Sequence, residues 1–74
     1  MVLPVVSGRK VVKALTKAGF RVAGRKGSHI KLKKQVDDKV FVVIVPDHAE
    51  LARGTLKSIL RQANVTRENF LKLL

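Results

Sequence analysis

Two stretches of the chain repeat apolar residues at the spacing of one helix face. The first set is Val11, Val12, Leu15 and Ala18, and the second set is Leu56, Ile59, Leu60 and Ala63. The first set predicts a helix from Gly8 to Ala18, with Ser7 as its N-cap and Gly19 just past its end. The second set predicts a helix that begins at Thr55 or just before it, with Asn64 in the left-handed cap position.

Three shorter apolar segments between these helices are typical of β-strands. The predicted strands are Phe20 to Ala23, Ser28 to Lys33 and Phe41 to Val45. Turns from Gly24 to Gly27 and from Gln35 to Lys39 separate them, and Pro46 ends the third strand because proline has no N–H for a neighbouring strand. We expect Phe20 and Val22 to point into the core. The third strand is an unbroken apolar run, so either both of its faces are covered or its outer face contacts a partner.

The elements follow the order α-β-β-β-α, with a short additional helix at the C-terminus. Thr66 is expected to cap that last helix, and Phe70, Leu73 and Leu74 are expected to face inward. Strands joined by short turns form an antiparallel sheet, and two helices with one apolar stripe each pack on the same sheet face. Residues 1–74 are therefore expected to form a single α+β domain. Its outline is that of a double-stranded-RNA-binding domain, which recognises A-form shape, phosphates and 2′-hydroxyls.

Composition adds a strong positive charge to this outline. Sixteen Lys and Arg residues stand against five Asp and Glu residues, which leaves a formal net charge of +11 on 74 residues. Charge of this density favours an acidic partner: nucleic acid is the first candidate, an acidic protein the second and an anionic membrane the third. The chain has three Phe and neither Tyr nor Trp, so recognition of the backbone and shape is favoured over base stacking.

Several classes of site are disfavoured by the sequence. The absence of Cys excludes disulfides and thiolate metal sites. The two histidines lack metal-ligand spacing, the acidic residues are scattered, and no nucleotide-binding glycine loop is present, so we expect neither a metal nor a small-molecule cofactor. The apolar run from Val40 to Val45 is too short to cross a bilayer, and Met1 to Val6 lacks the basic start of a signal peptide. We therefore expect a cytoplasmic protein without a membrane partner.

The second predicted strand carries the candidate chemistry. Alternation along a strand divides it into one set of Ser28, Ile30 and Leu32 and another set of His29, Lys31 and Lys33. The second set places an imidazole, whose charge changes near neutral pH, beside two ammonium groups on an open face. The imidazole of His29 could remove the proton of an RNA 2′-hydroxyl while the lysines stabilise the charged phosphorane. The alternative is that His29 is simply a polar residue on a solvated strand.

Residues on either side of this strand extend the candidate site. The Arg25-Lys26 turn adds two positive charges next to His29, and Ser28 permits a close approach to the backbone, so all three are candidate RNA contacts. His48 has two interpretations. It either bonds to the backbone of its own connection, or reaches the site and protonates the leaving 5′-oxygen.

Five segments of the chain together resemble the HicA (YcfA-like) toxins. The segments are SGRKVVKAL at 7–15, KAGF at 17–20, GSH at 27–29, VPDH at 45–48 and GTLKSILRQA at 54–63. They cover nearly the whole chain and follow the order of the family. Two departures are visible, because Asn64 stands where glycine is common and Ala52 stands near a frequent proline. Neither departure touches the candidate site.

The resemblance implies a toxin of a type II toxin–antitoxin pair. Such toxins are metal-independent endoribonucleases (mRNA interferases) that cleave mRNA with the histidine that matches His29. The resemblance also implies an acidic antitoxin of the HicB type, encoded nearby, which covers that histidine. His48 matches a recurring histidine to which the resemblance assigns no role. The alternative from a different class is a non-catalytic double-stranded-RNA-binding module, in which His29 is one contact among others.

Overall fold

The helices and strands follow the predicted order. The computed structural model describes residues 3–74, so Met1 and Val2, at the start of the apolar N-terminal segment, lie outside the described residues. The helices are α1 (Gly8–Lys17), α2 (Arg53–Ala63) and α3 (Arg67–Leu73), and the strands are β1 (Arg21–Lys26), β2 (His29–Val36) and β3 (Lys39–Pro46). The strands form one antiparallel sheet in the order β1-β2-β3. The predicted α+β architecture, α-β-β-β-α with a short C-terminal helix, is confirmed.

One face of the sheet lines the hydrophobic core. Ile30 is paired with Val45 and Leu32 with Val43, so these four side chains point to the same side of the sheet. All four are buried, and they belong to one cluster with the apolar stripes of α1 and α2 and with Phe70 of α3. Both long helices therefore pack on one face, as predicted, and the opposite face is left open.

The ends of the helices confirm most of the predicted caps. The hydroxyls of Ser7 and Thr66 each accept a backbone N–H from the first turn of their helix at 3.1 Å. Gly19 has a φ of 102° and Asn64 a φ of 56°, the left-handed conformations that end a helix and reverse the chain. Ala18 is the C-cap of α1 rather than its last residue, a difference of one position.

The start of α2 lies slightly earlier than Thr55. The helix begins at Arg53, and Ala52 occupies the N-cap position without a side-chain hydrogen bond. Its stability therefore depends on the burial of its apolar stripe rather than on a capping side chain. In the described part of the chain, no helix is long and apolar enough to cross a membrane.

All three strands are longer than predicted, and β3 runs from Lys39 to Pro46 rather than from Phe41 to Val45. β1 continues to Lys26 and β2 to Val36, so most of both predicted turns belongs to strands. The turn between β1 and β2 contains Gly27 and Ser28, and the turn between β2 and β3 contains Asp37 and Asp38. Tight turns of this kind keep the strands paired up to their ends, because their backbone twist matches that of the strands. The sequence predicted longer turns here because Gly24 and Gly27 flank the first one and polar residues fill the second one, from Gln35 to Lys39.

Three side chains do not lie where the strand and helix patterns placed them. Val22 is paired with Leu32, but it lies on an edge strand and is 54% exposed, so it is outside the core. Leu74 follows the last residue of α3 and is 46% exposed, because no further turn of helix holds it against the core. Ser28 lies in the turn before β2 and is exposed, so it does not share the core face with Ile30.

Candidate nucleic-acid interface

The open face of the sheet has a basic half and an apolar half. Residues that pair directly across strands point to the same face, which defines three rows running from β1 through β2 to β3. The rows are Lys26, His29 and Pro46; then Gly24, Lys31 and Ile44; then Arg21, Lys33 and Val42. The structure therefore places His29, Lys31 and Lys33 together on the open face, beside two basic residues of β1. The apolar half belongs to β3.

A depression of about 640 Å³ opens on this face around His29. Its lining consists of Gly24, Arg25, Lys26, Gly27, Ser28, His29, Lys31 and Ile44. Five of the predicted site residues are thus brought together, whereas Lys33 lies further along β2. A Cβ built at Gly24 or Gly27 would meet nothing within 4 Å, so both positions leave room above the backbone. The depression has the volume of a ligand site of ordinary size.

The turn before β2 fixes the position of His29. Gly27 has a φ of 59°, a left-handed conformation in which a side chain is strained, and this sharp turn brings β2 back along β1. His29 is the first residue of β2 and is paired with Lys26 on one side and Pro46 on the other. Its side chain is exposed. The imidazole is therefore held at the rim of the sheet, within reach of a ligand on the open face.

Asp47 joins three elements at this end of the sheet. Its carboxylate accepts a hydrogen bond from Arg25 Nη2 at 2.7 Å and another from Arg9 Nε at 3.3 Å. Its backbone N–H donates to the carbonyl of Ser28 at 2.6 Å. The Asp47 side chain is 11% exposed, and the Arg25 guanidinium, with a smaller contribution from Arg9, holds the pKa of its carboxyl below the ordinary value. The start of α1, the β1–β2 hairpin and the end of β3 are thereby tied together.

The role expected of Arg25 changes with this contact. Its guanidinium binds Asp47, and its Nε also donates to the carbonyl of Gly27 at 3.1 Å. Arg25 therefore stabilises the turn that carries His29, and part of its charge is already neutralised. The sequence singled out Arg25 only as an RNA contact and gave Asp47 no role. No local pattern marked Asp47, because its partners Arg9 and Arg25 lie 38 and 22 positions away in the sequence.

The lysines of β2 differ in what they bind within the protein. Lys34 lies on the core face, and its Nζ donates to the carbonyl of Ala18 at 2.7 Å and lies 5.7 Å from the centre of the Phe20 ring. It therefore stabilises the C-terminus of α1. Within residues 3–74, the structure gives the ammonium groups of Lys31 and Lys33 no ion pair or hydrogen bond. Those two charges are accordingly available to a ligand.

His48 lies at the same end of the sheet as His29 but contributes through its backbone. Its carbonyl accepts the N–H of Gly8 at 2.9 Å, and its side chain is exposed. A Cβ at Gly8 would overlap the carbonyl oxygen of Pro46, so α1 begins in direct contact with the end of β3. This hydrogen bond involves the main chain of His48 and not its imidazole, so both interpretations of the side chain stay predictions. In the described part of the chain, no cluster of His, Cys, Asp and Glu suits a metal ion.

The fold and this face define a class of protein, namely a small basic α+β domain with an open sheet that suits an anionic macromolecule. Comparison with known protein families matches residues 8–65 to the family described as the HicA toxin of bacterial toxin–antitoxin systems. The chain belongs to the HicA toxin family. The match contains α1, the whole sheet and α2, and therefore every residue that lines the depression. Comparison with curated proteins gives no match.

Membership of this family confirms the resemblance seen in the sequence. The protein is a toxin of a toxin–antitoxin system, and it has an antitoxin as its partner. Residues 66–74, which contain α3, lie outside the matched region, although Phe70 of α3 is fully buried in the common core.

Proposed function

We propose that this toxin is a metal-independent endoribonuclease that cleaves mRNA, with His29 as its general base. The observation that carries the proposal is the depression on the open face, where His29 and Lys31 lie together with Lys26. An exposed imidazole beside ammonium groups without partners supplies both requirements of RNA cleavage. It provides a base for the 2′-hydroxyl and positive charge for the phosphate.

The proposed reaction needs no group from outside the protein and the RNA. His29 removes the proton of the 2′-hydroxyl, and the 2′-oxygen attacks the adjacent phosphorus. The bond from phosphorus to the 5′-oxygen then breaks, and that oxygen takes up a proton. His48 is the candidate donor of this proton, because its chain segment lies at the same end of the sheet. The products are a 2′,3′-cyclic phosphate and a 5′-hydroxyl, so 3′-hydroxyl and 5′-phosphate ends would contradict this mechanism.

The basic residues of the open face are proposed to contact different parts of the RNA. Lys26 and Lys31 line the depression and stabilise the phosphate that reacts, whereas Lys33 contacts the RNA backbone further along β2. Ser28 allows the RNA to approach the turn closely. Arg25 acts mainly by stabilising the turn that holds His29. Its side chain is 52% exposed and adds positive potential at the edge of the depression.

The proposed partner is an acidic antitoxin of the HicB type that covers His29. A toxin with a net charge of +11 attracts an acidic protein strongly, and an antitoxin that covers the open face competes directly with RNA. Because mRNA is the proposed substrate, we place the activity of the toxin in the cytoplasm.

The test compares wild-type protein with His29→Ala on a labelled RNA in excess EDTA, scoring both cleavage and binding. We expect wild type to cleave, and His29→Ala to lose at least about a hundredfold in rate while it still binds RNA, because general acid–base catalysis contributes roughly 10² to 10⁴. Lys57→Ala, at an exposed position on α2, serves as the control and should cleave like wild type. His48→Ala tests the proposed proton donor in the same assay, and it should also lose rate while it still binds RNA. Cleavage that persists in His29→Ala would refute the role of His29.

The alternative function is a non-catalytic double-stranded-RNA-binding module. One observation favours it, namely that the site is an open basic sheet face rather than an enclosed pocket, as suits recognition of a helical backbone. The same experiment separates the two functions. Binding without cleavage by wild type and by His29→Ala would support the binding module, whereas cleavage by wild type alone supports the nuclease.

A further inference from the structure

The outer face of β3 presents a continuous row of aliphatic side chains to solvent. Val40, Val42 and Ile44, which we name the β3 strip, are 57%, 41% and 42% exposed. They alternate with Val43 and Val45, which are fully buried in the core. The strip lies on an edge strand of the sheet. Contiguous apolar side chains on an exposed face mark interaction surfaces more often than single ones do.

The strip lies directly beside the free lysines of β2. Ile44 is the cross-strand partner of Lys31, and Val42 is the partner of Lys33. An occupant that covers this part of the face must therefore satisfy two ammonium groups and three aliphatic side chains together. RNA phosphates could neutralise the lysines, but an RNA backbone offers no apolar surface of matching extent. A protein segment with apolar and acidic side chains fits both halves.

We propose that the β3 strip is the apolar docking surface of the antitoxin, flanked by salt bridges from its acidic side chains to Lys31 and Lys33. The inference deepens the proposed pairing with an acidic antitoxin and rests on that part of the proposed function. A second copy of this chain fits less well, because its own open face carries the same positive charge. Like charges facing one another across an interface oppose association.

The geometry separates the proposed footprints of the antitoxin and the RNA. The depression around His29 includes Ile44 but neither Val40 nor Val42. The RNA therefore uses the β1–β2 half of the face, whereas the antitoxin spans both halves. Changes at Val40 and Val42 should consequently release the toxin from its antitoxin without removing a group that acts on RNA.

The test uses the double variant Val40→Thr/Val42→Thr and the full-length antitoxin encoded nearby. Threonine keeps the shape and strand preference of valine but adds a hydroxyl that is unfavourable in an apolar contact. We expect the affinity for the antitoxin to fall at least about tenfold, while RNA cleavage in the absence of antitoxin stays within about twofold of wild type. The matched control is Val22→Thr, because the exposure of Val22, 54%, lies between those of Val40 and Val42, and Val22 is outside the strip.

Three outcomes would overturn the inference. The first is an unchanged antitoxin affinity in a variant whose thermal unfolding matches wild type. The second is a parallel loss of RNA binding, which would assign the strip to RNA. The third is a self-association of the toxin that the variant abolishes, which would assign it to a second copy. Failure of the nuclease proposal is a separate result: wild type would then not cleave RNA, and antitoxin binding would still be measured.

Discussion

The two faces of β2 meet opposite requirements within one strand. Ile30 and Leu32 are buried on the core face at 8% and 0% exposure, whereas His29 and Lys31 are exposed on the open face. Residues that are adjacent in sequence therefore have different roles, because successive side chains point to opposite sides of a strand. The fold therefore depends on one set of alternating residues, and the proposed activity depends on the other.

Leu32→Ala should give the largest effect and tests the core face. Leu32 is fully buried beneath the helices, and its truncation leaves a cavity that costs about 2–5 kcal/mol in free energy of unfolding. That is a large share of the stability of a small domain. Urea denaturation followed by circular dichroism measures the change. A loss below about 0.5 kcal/mol, the usual limit for a surface substitution, would break the distinction between the faces.

Lys31→Ala tests the open face at the adjacent position. We expect stability within about 0.5 kcal/mol of wild type and RNA binding weaker by roughly tenfold, because one phosphate contact is lost. The slope of log affinity against log salt concentration should decrease by about 1. Lys57→Ala is the control, because it removes the same charge from an exposed position on α2. Equal losses in both variants would mean that net charge alone governs binding.

Asp47→Asn should give the smallest effect, and it tests the ion pairs at the end of the sheet. The pKa of Asp47 is lowered in the folded protein, chiefly by Arg25, so its charged form stabilises the fold. That stabilisation is complete above the ordinary pKa of 3.8 and disappears as the pH falls through the lowered value. Wild type should thus melt above Asp47→Asn at pH 7, and the two melting temperatures should converge in strong acid. A pH-independent difference would contradict the charge-based role.

Much of the fold could be predicted from local patterns. The helix stripes, the Ser7 and Thr66 caps and the alternation of β2 each depend on residues within a few positions of one another, and the structure contains all of them. The lengths of the three strands could not be predicted in this way. Pairing between strands holds Arg25 and Lys26 in extended conformation, although a pair of glycines around them indicated a turn.

The candidate site could be predicted in part, because some of its residues are also close together in the sequence. His29, Lys31 and Lys33 share a strand, so their common face follows from alternation alone. The contacts of Asp47 with Arg25 and Arg9 span 22 and 38 positions, and no local pattern reports a contact of that separation. Exposure of the β3 strip was likewise one of two open interpretations, because a run of apolar residues does not reveal how many of its faces are covered.

The contact between Gly8 and the end of β3 bears on how this protein can diverge over time. The N–H of Gly8 binds the carbonyl of His48, and the N–H of Asp47 binds the carbonyl of Ser28. Both are main-chain hydrogen bonds, so they persist when neighbouring side chains are replaced. Gly8 itself cannot be replaced in this way, because any side chain there would collide with the carbonyl oxygen of Pro46. Surface side chains at this end of the protein can therefore change while the main-chain scaffold around His29 keeps its hydrogen bonds.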